Sequence, residues 1–158
     1  MNVTVIAVGT IKEGYLRDAI AEYSKRLSAY CKLSIVEIDE ERLPQNPSDV
    51  QVANGMRKEG ERIQKLIPNK SKVVTLCVEG KQQSSENLAG NIENWAIDGE
   101  GSLTFIIGGS YGLDPNIKMI GDKLSFSKMT FPHQLMRVIL LEQIYRGFRI
   151  MHNEPYHK

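Results

Sequence analysis

Cysteine is scarce here, and the residues that mark a metal or redox centre are scarcer still. Only two cysteines occur among 158 residues, and Cys31 and Cys77 are far apart and lack C-x-x-C spacing. Each lies beside an apolar run, the usual setting of a reduced buried thiol, which suits a cytosolic protein. His133, His152 and His157 have no spacing typical of a zinc site and no cysteine near them, so no metal is expected. Charge of one sign is also missing. Twenty basic residues face nineteen acidic ones, a net charge of +1, so any contact with nucleic acid has to come from a local patch. No apolar run approaches the roughly 18 residues that cross a bilayer. The opening MNVTVIAVG has no basic leader and reads as a first strand, not a signal peptide. A cytoplasmic protein without membrane contact is expected. Internal repeats, low-complexity segments and linkers are absent, which leaves one domain over residues 1–158.

What remains is an alternation of strand-like and helix-like segments. Residues 3–8 form a β-branched apolar run ending at Gly9, as a buried strand does. Leu16, Ala19, Ile20, Tyr23 and Leu27 then follow helical spacing. Residues 33–38, 72–78, 103–107 and 124–126 read as further strands. Ser48 or Asp49 caps a helix to about residue 67, with a narrow stripe of Val52, Met56, Ile63 and Leu66. Ser84 or Ser85 caps another, with Leu88, Ile92 and Trp95 facing inward. The polar EGKQQSS between the third strand and that helix reads as loop. The last helix runs from about His133 to Met151. This pattern predicts an α/β fold with a mostly parallel five- or six-stranded sheet flanked by helices. In such sheets ligands bind beyond the carboxyl ends of the strands.

Three stretches fall at that edge: the residues around Leu76, the cluster Gly108-Gly109-Ser110-Tyr111-Gly112, and the loop after Phe126. The glycine cluster permits close backbone approach or positive φ. It is neither a G-x-G-x-x-G signature nor a Walker loop. A tight turn is its alternative reading, and a flavodoxin-like nucleotide-binding domain remains open on these residues. The segment LSFSKMTFPHQLMR passes from strand through a polar loop to Pro132, which suits the start of a helix. A loop so placed offers free backbone groups to a ligand; an ordinary strand-to-helix connection explains it equally well.

The final helix is apolar over most of its circumference, more than one sheet requires. That points to a second surface, most simply another copy of the chain, or to a helix buried within its own domain. Glu142 and Arg146 are an i, i+4 pair, commonly only a surface ion pair. The tail adds His152, Tyr156, His157 and Lys158, an aromatic and basic ending that suits RNA bases and phosphates. The polar Gly121-Asp122-Lys123 carries no reading.

GGSYG, LSFSKMTFPHQLMRVILLEQIYRGFRI and NEPYHK together resemble the ribosomal RNA large subunit methyltransferase H family of the SPOUT (α/β-knot) class, and the similarity covers essentially the whole chain. That resemblance implies a C-terminal deep trefoil knot, an exception to the rule against threading. It implies a homodimer with sites at the subunit interface, S-adenosyl-L-methionine as methyl donor, and methylation of ring nitrogen 3 of a pseudouridine in 23S rRNA on assembled ribosomes. Matched by motif, the cofactor-binding positions are Leu76, Gly108, Phe126, Ser127, Lys128, Met129, Thr130 and Phe131. The catalytic positions are Glu142, Arg146, His157 and Lys158. His157 would assist proton removal, Arg146 and Lys158 would stabilise negative charge and hold phosphate, and Glu142 would orient Arg146. A ribosome-binding factor that kept the fold and lost the reaction is the alternative within this resemblance.

Overall fold

The computed structural model describes residues 1–156; His157 and Lys158 lie outside the described residues. The chain runs β1 (Asn2–Val8), α1 (Gly14–Leu27), β2 (Lys32–Ile38), α2 (Asp49–Leu66), β3 (Lys72–Gln82), α3 (Ser85–Asp98), β4 (Ser102–Ile107), α4 (Pro115–Lys118), β5 (Asp122–Ser125) and α5 (His133–Met151). The five strands form one sheet in the order β2-β1-β4-β3-β5, and every pairing is parallel. Among the described residues the strand number is therefore five, and the fold is the expected α/β sheet flanked by helices.

Strand periodicity divides the core. Val3, Val5 and Ala7 of β1 point to one face, where Leu103, Phe105 and Ile107 of β4 join them beneath α1, α3 and α5. Ile6 and Val8 point to the other, against Ile106, Ile63 of α2 and Ile117 of α4. Both faces are covered, which is why these strands read as continuous apolar runs. Capping agrees with the sequence. Ser48 forms a capping box with Gln51, and the Ser84 side chain accepts from the Asn87 N–H.

The structure resolves the two readings of α5 largely toward burial within its own domain. This helix packs between α1 and α3, and Leu140, Leu141, Ile144, Tyr145 and Phe148 are buried in the larger core. Three neighbours, the sheet and two helices, use most of its apolar circumference. Leu135 remains exposed at 37%, with Met136, Val138 and Ile139 half-buried beside it.

Three boundaries differ from the sequence reading. β5 lies earlier than 124–126, pairing Asp122 with Val74 and ending at Ser125, so Phe126 is outside the strand. The reason is that Gly121-Asp122-Lys123 has partners: the Asp122 carboxylate accepts from Trp95 Nε1 at 2.8 Å and pairs with Lys72 Nζ at 3.2 Å. β3 continues to Gln82 through residues expected to be loop, because β5 supplies a late partner for Lys81 and Gln82. On α2, Leu66 is 38% exposed and only Ile63 of the expected stripe is buried; Gly55, Glu59 and Gly60 take the other inward positions. Among the described residues, no helix is long and apolar enough to cross a membrane.

Candidate active site

A cleft of about 720 Å³ opens at the carboxyl ends of β3, β4 and β5. Its walls come from the three stretches singled out above, and each has a local cause. On the first wall, β3 loses register: Leu124 pairs with both Leu76 and Lys81, so residues 77–80 bulge out of the ladder. Gly80 makes this feasible, since a Cβ there would lie 2.6 Å from the Leu124 carbonyl carbon. The bulge sets Cys77, Val78 and Glu79 on the rim.

The second wall is the glycine turn. Gly108 lies so close to Gly112 that a Cβ would come within 2.6 Å of its backbone. The Gly112 N–H donates to Gly109 O at 3.0 Å, and Gly112 has φ of 86°. Glu40 braces the turn from behind, its carboxylate accepting from the Ser110 N–H at 2.8 Å. Burial works to raise that carboxyl, but the bonds from Ser110, with His133 and Lys12 nearby, hold it below the ordinary carboxylate range.

Residues 126–133 close the third side. Ser125 Oγ donates to Ser127 O at 2.9 Å, and Ser127 Oγ accepts from the Met129 N–H at 3.0 Å, which fixes the loop from within. Among the described residues, no hydrogen bond engages the backbone of Lys128, Thr130 or Phe131. Thr130 and Phe131 line the cleft, so their groups are free for a ligand there, beside the apolar side chains of Leu76, Ile107, Phe126, Phe131 and Met136. Of the expected cofactor positions, Leu76, Gly108, Phe126, Ser127, Met129, Thr130 and Phe131 line the cleft; Lys128 is exposed and does not. An adenosine-containing donor fits this chemistry, since a flat apolar base needs such walls and its polar edge needs free backbone groups.

Glu142 and Arg146 stand apart from the cleft. Arg146 donates to Glu142 Oε1 through Nη2 at 2.7 Å and Nε at 3.1 Å. Tyr156 donates to the same oxygen at 3.2 Å, and the guanidinium lies 4.7 Å from its ring centroid. Gln143, which accepts from Ser85 Oγ at 2.7 Å, donates to Glu142 Oε2 at 2.6 Å. The Glu142 hydrogen bond raises the Arg146 pKa, and burial followed by the Glu142 charge pushes the Tyr156 hydroxyl up to about 12. So the arginine stays a cation, with the Glu142 carboxylate on its fork. From Met136 on the cleft wall to Glu142 is six residues, ~9 Å along a helix. Among the described residues, Glu142 and Arg146 therefore do not line the cleft of their own chain, and His157 and Lys158 lie outside the described residues.

The sequence reading missed what holds the third wall. Arg137, 1% exposed, donates to Glu37 Oε2 at 2.7 Å and to Gly9 O at 3.0 Å. Glu37 Oε2 also accepts the Ile11 N–H at 3.0 Å. The start of α5 is thereby tied to the ends of β1 and β2. His133 touches the same point, where a Cβ on Gly9 would meet its Nε2 at 3.3 Å. A lone arginine in an apolar helix was the only local signal, and its partner is a hundred residues away.

Residues 1–157 match the family described as predicted SPOUT methyltransferase. The ribosomal RNA large subunit methyltransferase H of Bifidobacterium adolescentis is 57% identical, over 100% of both chains. A Methanococcus maripaludis protein that carries the same name provisionally is 60% identical, also over 100% of both. Among solved structures, TrmJ from Z. mobilis ZM4 aligns with all of this chain and 73% of its own at a TM-score of 0.53 and 12% identity, a likeness of fold. The chain belongs to the SPOUT methyltransferases, in the ribosomal RNA large subunit methyltransferase H family.

Proposed function

We propose that this protein transfers a methyl group from S-adenosylmethionine to ring nitrogen 3 of a pseudouridine in 23S rRNA, on assembled ribosomes in the cytoplasm, as a homodimer. The observation that carries the reading is the meeting of Leu76, Gly108 and the 126–131 loop in one cleft, in a chain of this family. Bound there, the donor supplies an electrophilic methyl group on a sulfonium. Leu76, Phe126 and Phe131 exclude water around its base, and the open backbone of the 126–131 loop orients it. Positioning of this kind supplies much of the acceleration of an in-line displacement.

The uracil ring nitrogen carries a proton that has to leave. His157 accepts it, and Arg146 stabilises the negative charge that spreads onto the flanking carbonyls. Glu142 fixes the Arg146 fork, and Lys158 holds phosphate. Because Glu142 and Arg146 sit more than a helical turn from the cleft of their own chain, the partner copy supplies them across the interface. The exposed Leu135, with Met129 and Val78 at the cleft mouth, offers apolar surface for that contact. The resemblance implies the trefoil knot. The course of the chain suits it: β5 is at the β3 edge, yet the α5 residue Arg137 reaches Gly9 at the end of β1. A net charge of +1 gives little grip on free RNA, which favours a preformed ribosomal surface read by shape.

Mass spectrometry of 23S rRNA nucleosides from cells with and without the gene tests the reading. Loss of one N3-methylated pseudouridine, restored by the purified protein acting on ribosomes, is the expected result. An unchanged nucleoside profile would reject the reaction, and calorimetry showing no S-adenosylmethionine binding would reject the enzyme altogether.

A further inference from the structure

Besides His133, Glu79 and Lys118 are the only acidic or basic side chains that line the cleft among the described residues, and they bind each other. The Lys118 ammonium meets Glu79 Oε1 at 2.5 Å, joining the β3 wall to α4 behind the glycine turn. Each residue is placed there by a local feature. Glu79 sits in the stretch where β3 leaves register, and such bulges re-aim side chains. Lys118 ends a one-turn helix that packs beneath the turn through buried Ile117. Its side chain is 24% exposed, so its stem is held and its charge faces the cleft rim. The nearby ammonium holds the Glu79 carboxyl below its usual range.

The donor's adenine and ribose are neutral, and its sulfonium carries one positive charge only, so neither calls for a cation and an anion side by side. The end of the donor that does need them is its amino acid, which carries an ammonium and a carboxylate together. We propose that Glu79 and Lys118 form a two-charge subsite for a zwitterionic α-amino acid group, the pair exchanging its internal contact for the ligand's carboxylate at Lys118 and ammonium at Glu79. The inference rests on the donor-cleft reading above and adds a place for the donor's charged end. Electrostatics favours such an exchange. Each charge has a counter-charge before and after binding, so no ion is left desolvated and unpaired in either state.

Calorimetry with two unreactive ligands tests it. S-adenosylhomocysteine carries the zwitterionic end, whereas 5′-methylthioadenosine shares its adenine, ribose and sulfur but lacks that end. For Lys118→Met, S-adenosylhomocysteine should bind at least tenfold more weakly, while 5′-methylthioadenosine binds within twofold of wild type, which also reports an intact cleft. Glu79→Gln should weaken S-adenosylhomocysteine by threefold or more with the same indifference to the shorter ligand. Equal effects on both ligands, or none on either, would overturn the subsite while leaving the donor cleft standing. A wild-type protein that binds neither would overturn the cleft reading and the subsite with it.

Discussion

Arg137 and Glu37 are joined at 2.7 Å across one hundred residues, and the arginine is 1% exposed while the glutamate side chain is 39% exposed. This contact and the one to Gly9 O fasten the second turn of α5 to the carboxyl end of the sheet. A guanidinium so enclosed needs its counter-charge more than the open carboxylate does. Glu37→Gln should therefore destabilise the protein by about 2 kcal/mol, discounted from a fully buried pair because Glu37 reaches solvent. Urea unfolding measures it, and an unmoved midpoint would show that the fork is satisfied without the charge.

The glycine turn gives a second prediction. A Cβ at Gly108 would lie 2.6 Å from the Gly112 carbonyl carbon, so backbone has to move. Gly108→Ala should cost roughly 1–3 kcal/mol in stability and weaken S-adenosylmethionine binding at least tenfold. Retained affinity would remove the turn from the donor site.

Acid titration of Glu59 gives a third. It is 8% exposed, and burial, opposed by the Glu41 N–H and reinforced by the charges of Glu40 and Glu41, raises its carboxyl to about 6. The folded value exceeds the unfolded one near 4.5. Its contribution is thus fully present below the unfolded value and lost as pH rises through about 6. Glu59→Gln should then be more stable than wild type by about 2 kcal/mol at pH 8, with the advantage gone at pH 4. Thermal melts across that range decide it; an equal gain at both ends would assign the effect to packing.

His157 supplies a fourth. If it takes the proton from the ring nitrogen, His157→Ala should lower turnover on ribosomes by about 100-fold or more with donor affinity nearly unchanged. Single-turnover rates and calorimetry separate the two, and an unaltered rate excludes it from the chemistry.

A fifth concerns the substrate. Naked rRNA fragments should be methylated far more slowly than 70S or 50S particles if, as proposed, so small and nearly neutral a protein borrows recognition from a preformed surface. Efficient methylation of a short hairpin would contradict this.

Local pattern was enough for much of this molecule. The alternation of apolar runs and 3.6-residue stripes pointed to a mostly parallel sheet of five or six strands and to caps at Ser48 or Asp49 and at Ser84 or Ser85, since each depends on neighbours within a few residues. GGSYG and the 126–131 stretch announced the sheet edge for the same reason. Contacts between distant residues decided the rest. Only packing could show that β3 slips past Leu124 and turns Glu79 toward Lys118, or that Asp122 belongs to a strand because Trp95 and Lys72 need its carboxylate. The burial of α5 between α1 and α3, and the partner of Arg137, likewise exist only once segments a hundred residues apart are brought together, because a side chain's burial and charge environment are properties of its neighbours in space.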